Sequence, residues 1–279
     1  MSTRIILFIL FIALNSPANE RIISLSPSLT EIVFALGKGD SIVGTSSYSL
    51  YPKEAQKIPI VGGYENPNVE KVLALSPTLV VGQDFSQSTL EKLKYFKIKT
   101  LMLNLRTIDN IKKSITILAS ELGSKKGGKL VEDINTAIKK ASKNKTPHSV
   151  MIVYGLRDDL RSSTYIAGHG IFFEDIIKLS SNTNAYTATS TNQPVLNYEN
   201  IIALNPDQII ILHSHATEPN VDVKKALKAW QSIPTNASRN NNISIVDENY
   251  LHIPSHRVAL TIKRLSDEMN KNYNSGNQQ

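Results

Sequence analysis

Short apolar, β-branched runs alternate with amphipathic stretches along most of the chain. Ile22–Leu25, Ile42–Gly44, Thr78–Val81 and Thr100–Leu103 read as strands, and between them Ser28–Leu36, Val69–Leu75 and Thr89–Tyr95 carry helical spacing. The alternation resumes with strands at Ser149–Tyr154, Gln208–Leu212 and Ile243–Val246. Helices are expected at Phe172–Leu179, Tyr198–Leu204, Val221–Trp230 and His256–Asn270. Such alternation predicts mostly parallel sheets with helices packed on their faces.

Between the two series the pattern changes. Residues 108–144 contain no Pro and no strand signal, and their apolar residues fall at helical spacing: Ile111, Ile115 and Leu118, then Leu130, Ile134, Ala137, Ile138 and Ala141. Gly123 suits the end of a first helix and Ser124 the cap of a second. Gly127 and Gly128 weaken the second helix at its start by roughly 1 kcal/mol each relative to Ala. From Lys125 to Lys143 it would be roughly 28 Å long. A helix of that length either bridges two lobes as a stiff strut or packs as an ordinary helix within one large domain.

One segment occurs twice. NVEKVLALSPTLVV, from Asn68, returns as NYENIIALNPDQII, from Asn197, with Asn, Glu, Ala, Leu and Pro at matching places. Chance would supply about one match at average residue frequencies. The repeat points to two similar α/β lobes, each with an acidic residue, Glu70 or Glu199, at the start of a short helix, and a two-lobed protein has a natural cleft. The expected division is an export segment over residues 1–18, a first lobe over 19–106, a helical connection over 107–145 and a second lobe over 146–279.

Arg4, the apolar run Ile5–Leu14, and Asn15, Ser16, Pro17 and Ala18 have the form of a cleaved export signal, so the mature chain is expected to begin near Asn19 in a periplasm. The run is too short to span a bilayer, which takes about 20 apolar residues. With no Cys, neither a lipid-anchored cysteine nor a disulfide is expected. The formal charge of +7 becomes +6 once Arg4 is removed. Residues 92–145 hold 14 Lys and Arg against four Asp and Glu, but only Tyr95 and Phe96 as aromatics, which favours a solvated helix surface over nucleic-acid binding.

Candidate chemistry gathers at the joints. Ser26, Pro27, Ser28 and Thr30 lie where the first strand gives way to the first helix; Ser28 with Glu31 fits a capping box, and Gly37 the matching stop. Helix starts at the carboxyl ends of parallel strands also face the ligand crevice of open α/β sheets, so ligand contact stands beside the capping role. His213 and His215 follow the strand at 208–212, and His252 and His256 lie in YLHIPSHR, where Pro254 opposes a shared helical face. Imidazoles can ligate a metal, contact a bound chelate or simply sit at the surface, and no Cys or adjacent acidic ligand completes a zinc-type spacing. Arg157, Arg161 and Arg257 can meet carboxylates of an anionic chelate; for Arg257 a structural salt bridge is the equal alternative. The chain holds no G-x-S-x-G, no H-E-x-x-H and no Walker A loop, and Gly168-His169-Gly170 lacks the third Gly of a dinucleotide fingerprint. A binding protein is therefore expected rather than an enzyme. A free zinc or manganese carrier using His ligands and an exported enzyme of similar α/β fold are the alternatives.

RIISLSPSLTEIVFALG (Arg21–Gly37), IVGTSSYSLYPKEAQKIPIVGGYENPNVEKVLALSPTLVVG (Ile42–Gly82), the central helix and the repeated second-lobe segment resemble the periplasmic substrate-binding proteins that feed ABC importers of chelated metals. These are the binders of ferric siderophores, haem and cobalamin, and the resemblance runs from Arg21 to about Met269. It implies an α/β fold of two Rossmann-like lobes with mostly parallel central sheets, joined by a long rigid backbone helix, with the ligand cleft between them. It implies no intrinsic cofactor, a ferric siderophore, corrinoid or haem as cargo, and the inner-membrane permease as partner of a monomer. SSYSLYPKEAQKI is most similar to the cobalamin binders, which set an aromatic of this loop and a Trp six residues before the first docking Glu against the corrin. Tyr48 or Tyr51 takes the first role and Tyr64 the second, while haem binders ligate iron through a Tyr of the same region. Gln193 stands at the approximate place of a second-lobe Trp. Glu70 and Glu199 occupy the positions from which the family offers carboxylates to permease Arg residues; a carboxylate at a helix start is favoured by the dipole and suits bidentate Arg, though each Glu also stabilises its own helix. Candidate cleft walls are Tyr48, Tyr51, Tyr64, Phe85, His213, Tyr250 and His252.

Overall fold

The computed structural model describes residues 20–157, 159–160, 163–188, 193–214 and 221–271. The expected export segment and Asn19 lie outside the described residues, as do Arg161 and His215. No helix among the described residues is long and apolar enough to cross a membrane.

Five strands form the first sheet: β1 (Ile22–Ser24), β2 (Ile42–Ser46), β3 (Ile60–Gly62), β4 (Leu79–Gly82) and β5 (Lys99–Met102). Their order is β3-β2-β1-β4-β5, parallel throughout. Helices α1 (Pro27–Ala35), α2 (Val69–Ala74) and α3 (Gln87–Tyr95) make the crossovers. Four of the strands follow the sequence pattern. β3 escapes it because it is three residues long, with Ile60 exposed and Gly62 in a conformation only Gly adopts freely (φ 139°).

The helical stretch divides as the spacing predicts, into α4 (Ile108–Glu121) and α5 (Gly127–Lys140), with Gly123 left-handed between them (φ 59°). α5 is shorter than the expected span of 125–143, about 21 Å at the usual rise. Ser124 stands just before its first turn, accepting from the Lys126 backbone N–H at 3.2 Å, while its hydroxyl donates to the Leu36 carbonyl at 2.7 Å and so ties the helix joint to the end of α1. A Cβ on Gly127 would lie 2.4 Å from that of Ala119, so the helix-weakening glycine is what lets α4 and α5 approach.

The second sheet contains β6 (Ser149–Tyr154), β7 (Thr164–Ile166), β8 (Thr183–Asn184), β9 (Val195–Leu196), β10 (Gln208–His213) and β11 (Ile243–Asp247). Its order is β11-β10-β6-β7-β9, with β8 beside the start of β6. β6, β8, β10 and β11 are parallel, but β7 pairs antiparallel with both β6 and β9, so this sheet is mixed. β7, β8 and β9 have only two or three residues and lack the aliphatic run, Ile22, Ile23 and Leu25, that marks β1, so they carry too little pattern to be read from sequence. Helices α6 (Phe172–Leu179), α7 (Tyr198–Leu204), α8 (Val223–Gln231), α9 (Asn236–Arg239) and α10 (Val258–Lys271) complete the order.

The outer face of each sheet has its own apolar cluster, around Val72 and Leu93 in the first and Trp230 and Ile201 in the second. A third cluster is continuous across both: it runs from Ile22, Leu29 and Ile32 through Ile111, Ile115 and Leu118 of α4 and Ile134 of α5 to Ile210, Ile262 and Leu265. α5 packs against α4 on one side and α10 on the other. Two bonds stitch the joint: Ile108 donates its backbone N–H to Asp175 Oδ2 at 2.8 Å, and Phe172 to the Arg106 carbonyl at 2.6 Å. The connection is stiff because it is a packed helical layer sharing one core with both sheets, which resists deformation as a close-packed solid does.

Candidate ligand cleft

A cleft of about 490 Å³ opens where the carboxyl ends of the parallel strands of both sheets meet. The first lobe contributes Glu31 of α1 and, from the segment after β2, Tyr48, Leu50, Tyr51 and Gln56. The second contributes Tyr154 and Gly155 at the end of β6, Ser214 after β10, and Asn249, His252, Ile253 and Arg257 between β11 and α10. Strand ends are where an open α/β sheet leaves side chains uncovered, so this placement follows from the topology.

The tyrosine loop is held from beneath by hydroxyls. Thr30 Oγ1 on α1 lies 2.9 Å from both Ser24 Oγ and Thr45 Oγ1 and donates to the Ser26 carbonyl at 3.0 Å; Thr45 Oγ1 donates to Ser49 Oγ at 2.8 Å. These side chains are buried, and satisfied buried polar groups fix geometry. Above them Tyr48 takes a left-handed backbone (φ 65°) and is 66% exposed, while Tyr51 is 42% exposed. Both keep ring surface free to face a ligand.

The expected Ser28–Glu31 capping box does not form. Ser26 is the cap, accepting from Leu29 N at 3.3 Å, and Pro27 follows at the first helical position, which needs no N–H. Glu31 turns instead into the interface between lobes. One of its oxygens accepts from Arg257 Nε at 2.9 Å and from Ser255 Oγ at 2.6 Å, and the other accepts from Arg257 Nη2. Arg257 Nη1 donates to Asn249 Oδ1 at 2.7 Å, and its guanidinium carbon lies 3.9 Å from the centre of the Tyr51 ring. Glu31 is 3% and Arg257 6% exposed. Burial pushes the Glu31 carboxyl above its ordinary range, and the bonds from Arg257 and Ser255 oppose that push. Of the two roles open to Arg257, the structure gives it the salt bridge.

Of the seven candidate wall residues, Tyr48, Tyr51 and His252 line the cleft. The His252 ring lies 5.9 Å from that of Tyr154, whose phenol burial raises well above its usual range. Tyr64 and Phe85 pack edge to face at 5.2 Å, and neither is part of the lining. His213 closes β10 and is 1% exposed. Tyr250 sits behind Arg257, 5.8 Å from its guanidinium, and is also outside the lining. His256 is half-buried, and desolvation, aided by Arg257, lowers it to about 4. Among the described residues there is no group of three or more His, Cys, Asp or Glu side chains that could hold a metal ion. Arg157 and Gln193 are exposed and outside the lining. Sequence reasoning missed Tyr154, Asn249 and Gln56 as lining residues. An aromatic at the carboxyl end of a central strand was the available signal for the first.

The repeated segments take matching local structures. Asn68 caps α2 by accepting from Lys71 N at 2.9 Å, and Asn197 caps α7 by accepting from Asn200 N at 2.8 Å. Glu70 and Glu199 are each the second helical residue, and both are exposed. Each helix follows a strand that ends at the carboxyl edge of its sheet, the edge at which the cleft lies, so the two carboxylates start from that rim.

Fold and site together define a two-lobed α/β binding protein with its ligand cleft between the lobes. The chain belongs to the periplasmic binding protein family, which matches residues 22–250. It is 31% identical over 265 residues to an ABC transporter substrate-binding lipoprotein of Bacillus subtilis (strain 168), covering 90% of this chain and 80% of that protein. It is 26% identical to a vitamin B12-binding protein of Yersinia pseudotuberculosis (strain IP 31758), over 95% of this chain and 91% of that one. The fold is shared with the periplasmic vitamin B12-binding protein of Vibrio cholerae (TM-score 0.71, 24% identity, 90% and 96% coverage). It is shared likewise with the periplasmic haem-binding protein of the same organism (TM-score 0.74, 22% identity, 90% and 99% coverage). The protein is a substrate-binding component of an ABC importer, and its family is one of exported proteins.

Proposed function

We propose that the protein captures a metal chelate or macrocycle, a corrinoid, ferric siderophore or haem, in the interlobe cleft and delivers it to an inner-membrane permease. The observation that carries this reading is the cleft itself: flat aromatic faces, Tyr48 and Tyr51 from one lobe and Tyr154 from the other, border a space of about 490 Å³, a volume in the range of small-molecule sites. The relatives named for vitamin B12 and haem support the same class of cargo. Glu70 and Glu199 serve as the docking points for permease Arg residues, supported by their exposure and their matched placement on the cleft rim. The protein works in the periplasm after its leader is removed, and the absence of Cys leaves no site for the lipid attachment carried by the Bacillus subtilis relative. Absorption titrations of the purified protein with cobalamin, haemin and a panel of ferric siderophores test the reading, since each has its own visible bands. Binding of a bare divalent ion with no response to any of these would overturn it.

A further inference from the structure

We infer that the cleft selects electrically neutral chelates over anionic ones because Glu31 neutralises Arg257, a conclusion that rests on the chelate-binding reading above. Glu31 and Arg257 are the acidic and basic side chains of the lining, and their charges cancel. Both carboxylate oxygens are engaged by the guanidinium, Ser255 adds a third bond, Asn249 takes a further Arg257 N–H, and Tyr51 covers the guanidinium face. Cations that neighbour lining residues in sequence are not themselves part of the lining: Lys53 and Lys57 flank Gln56 with Glu54 between them, and Arg157 lies two residues beyond Gly155. The internal residues outside the described set carry Asp158, Arg161 and Glu218, so by sequence they bring no cationic surplus.

An anion entering this cleft gives up its hydration and meets a cation whose charge is already matched. A neutral chelate loses much less water and still gains the aromatic faces. The distinction divides ferric chelates by chemistry: three singly charged hydroxamates balance Fe(III), whereas three doubly charged catecholates leave a trianion. Arg257 is therefore a positioning residue for Tyr51 and the lobe interface, and Glu31 keeps its charge from recruiting acidic cargo.

Calorimetric titration of the purified protein at pH 8, where an ordinary imidazole is neutral, tests this with cyanocobalamin and ferrichrome as neutral probes and ferric enterobactin as the trianion. At least one neutral probe should bind about tenfold or more tighter than the trianion, with little change between low and high salt. Glu31→Gln, which unmasks Arg257, should raise the trianion's affinity relative to the neutral probe by about tenfold. Equal or tighter binding of the trianion by the unmodified protein overturns the inference and leaves the chelate reading intact. An unchanged ratio in folded Glu31→Gln also overturns it. If that variant lacks a native circular dichroism spectrum, the ranking and salt series of the unmodified protein decide. Failure of all three probes to bind overturns this inference whatever haemin does, and failure of haemin and the wider siderophore panel as well overturns the chelate reading.

Discussion

The rim and the floor of the cleft use the same side chain in opposite ways. Glu70 and Glu199 stand at the second position of short helices behind Asn caps, in solvent. Glu31 lies deeper along α1, buried and bonded across the lobes to Arg257. An exposed carboxylate costs little to keep and can exchange water for a partner's guanidinium. A buried one persists only with its counter-charge, so it specifies how two surfaces meet rather than what they bind. On the proposed reading, the rim serves delivery and the floor serves geometry.

Reversing both rim charges, Glu70→Arg with Glu199→Arg, is the largest way to break that assignment. Uptake in cells carrying the cognate permease should fall by about 100-fold or more, the scale of losing charge-assisted interface contacts, while calorimetric affinity for the ligand stays near normal. Loss of affinity alongside transport would show that the rim belongs to the binding site. At the floor, Arg257→Ala should lower stability by roughly 3–5 kcal/mol in urea denaturation, because Glu31 is left as an uncompensated buried charge. The paired replacement Glu31→Leu with Arg257→Met should cost far less. Equal costs for the two variants would mean that the ion pair is not what holds this interface.

Protonation sharpens the same difference. His256, beside Arg257, has its folded value depressed to about 4 from 6.5. The folded state therefore binds fewer protons than the unfolded state between those values. Its neutral form contributes full stability above pH 6.5, and that contribution is lost as pH falls toward 4, about 3 kcal/mol in all. His256→Gln should flatten the slope of stability between pH 6.5 and 4.5 in urea melts; an unchanged slope would place the proton elsewhere. The smallest effects belong to the rim caps. Asn68→Ala and Asn197→Ala should each cost about 1 kcal/mol, and a clear inequality between them would separate the two repeats.

Much of the scaffold was legible in the chain because it is written locally. The three longest strands of the second sheet, β6, β10 and β11, and the start of α7 behind Asn197 follow apolar period and cap chemistry within a few residues. Gly123 marked the break between α4 and α5 for the same reason. β7, β8 and β9 were not legible, being too short for any period to show. At the site, the tyrosine loop was visible through Tyr48 and Tyr51, whereas Tyr64 with Phe85 satisfied one another outside the lining. Glu31 was misread as a capping partner because Ser28 stood three residues before it, while Pro27 had already moved the cap to Ser26.

By itself, then, the sequence determined the alternation of strands and helices, the two matched helix starts with their glutamates, and the membership of a binding-protein family. Only the tertiary structure decided that the second sheet is mixed, that one core runs through the helical layer, and that Glu31 meets Arg257 across 226 residues. Periodicity and capping act within a turn or two of chain, so they can be read in order. A buried charge pair between lobes depends on how two sheets close over a shared core, and no local pattern encodes that distance.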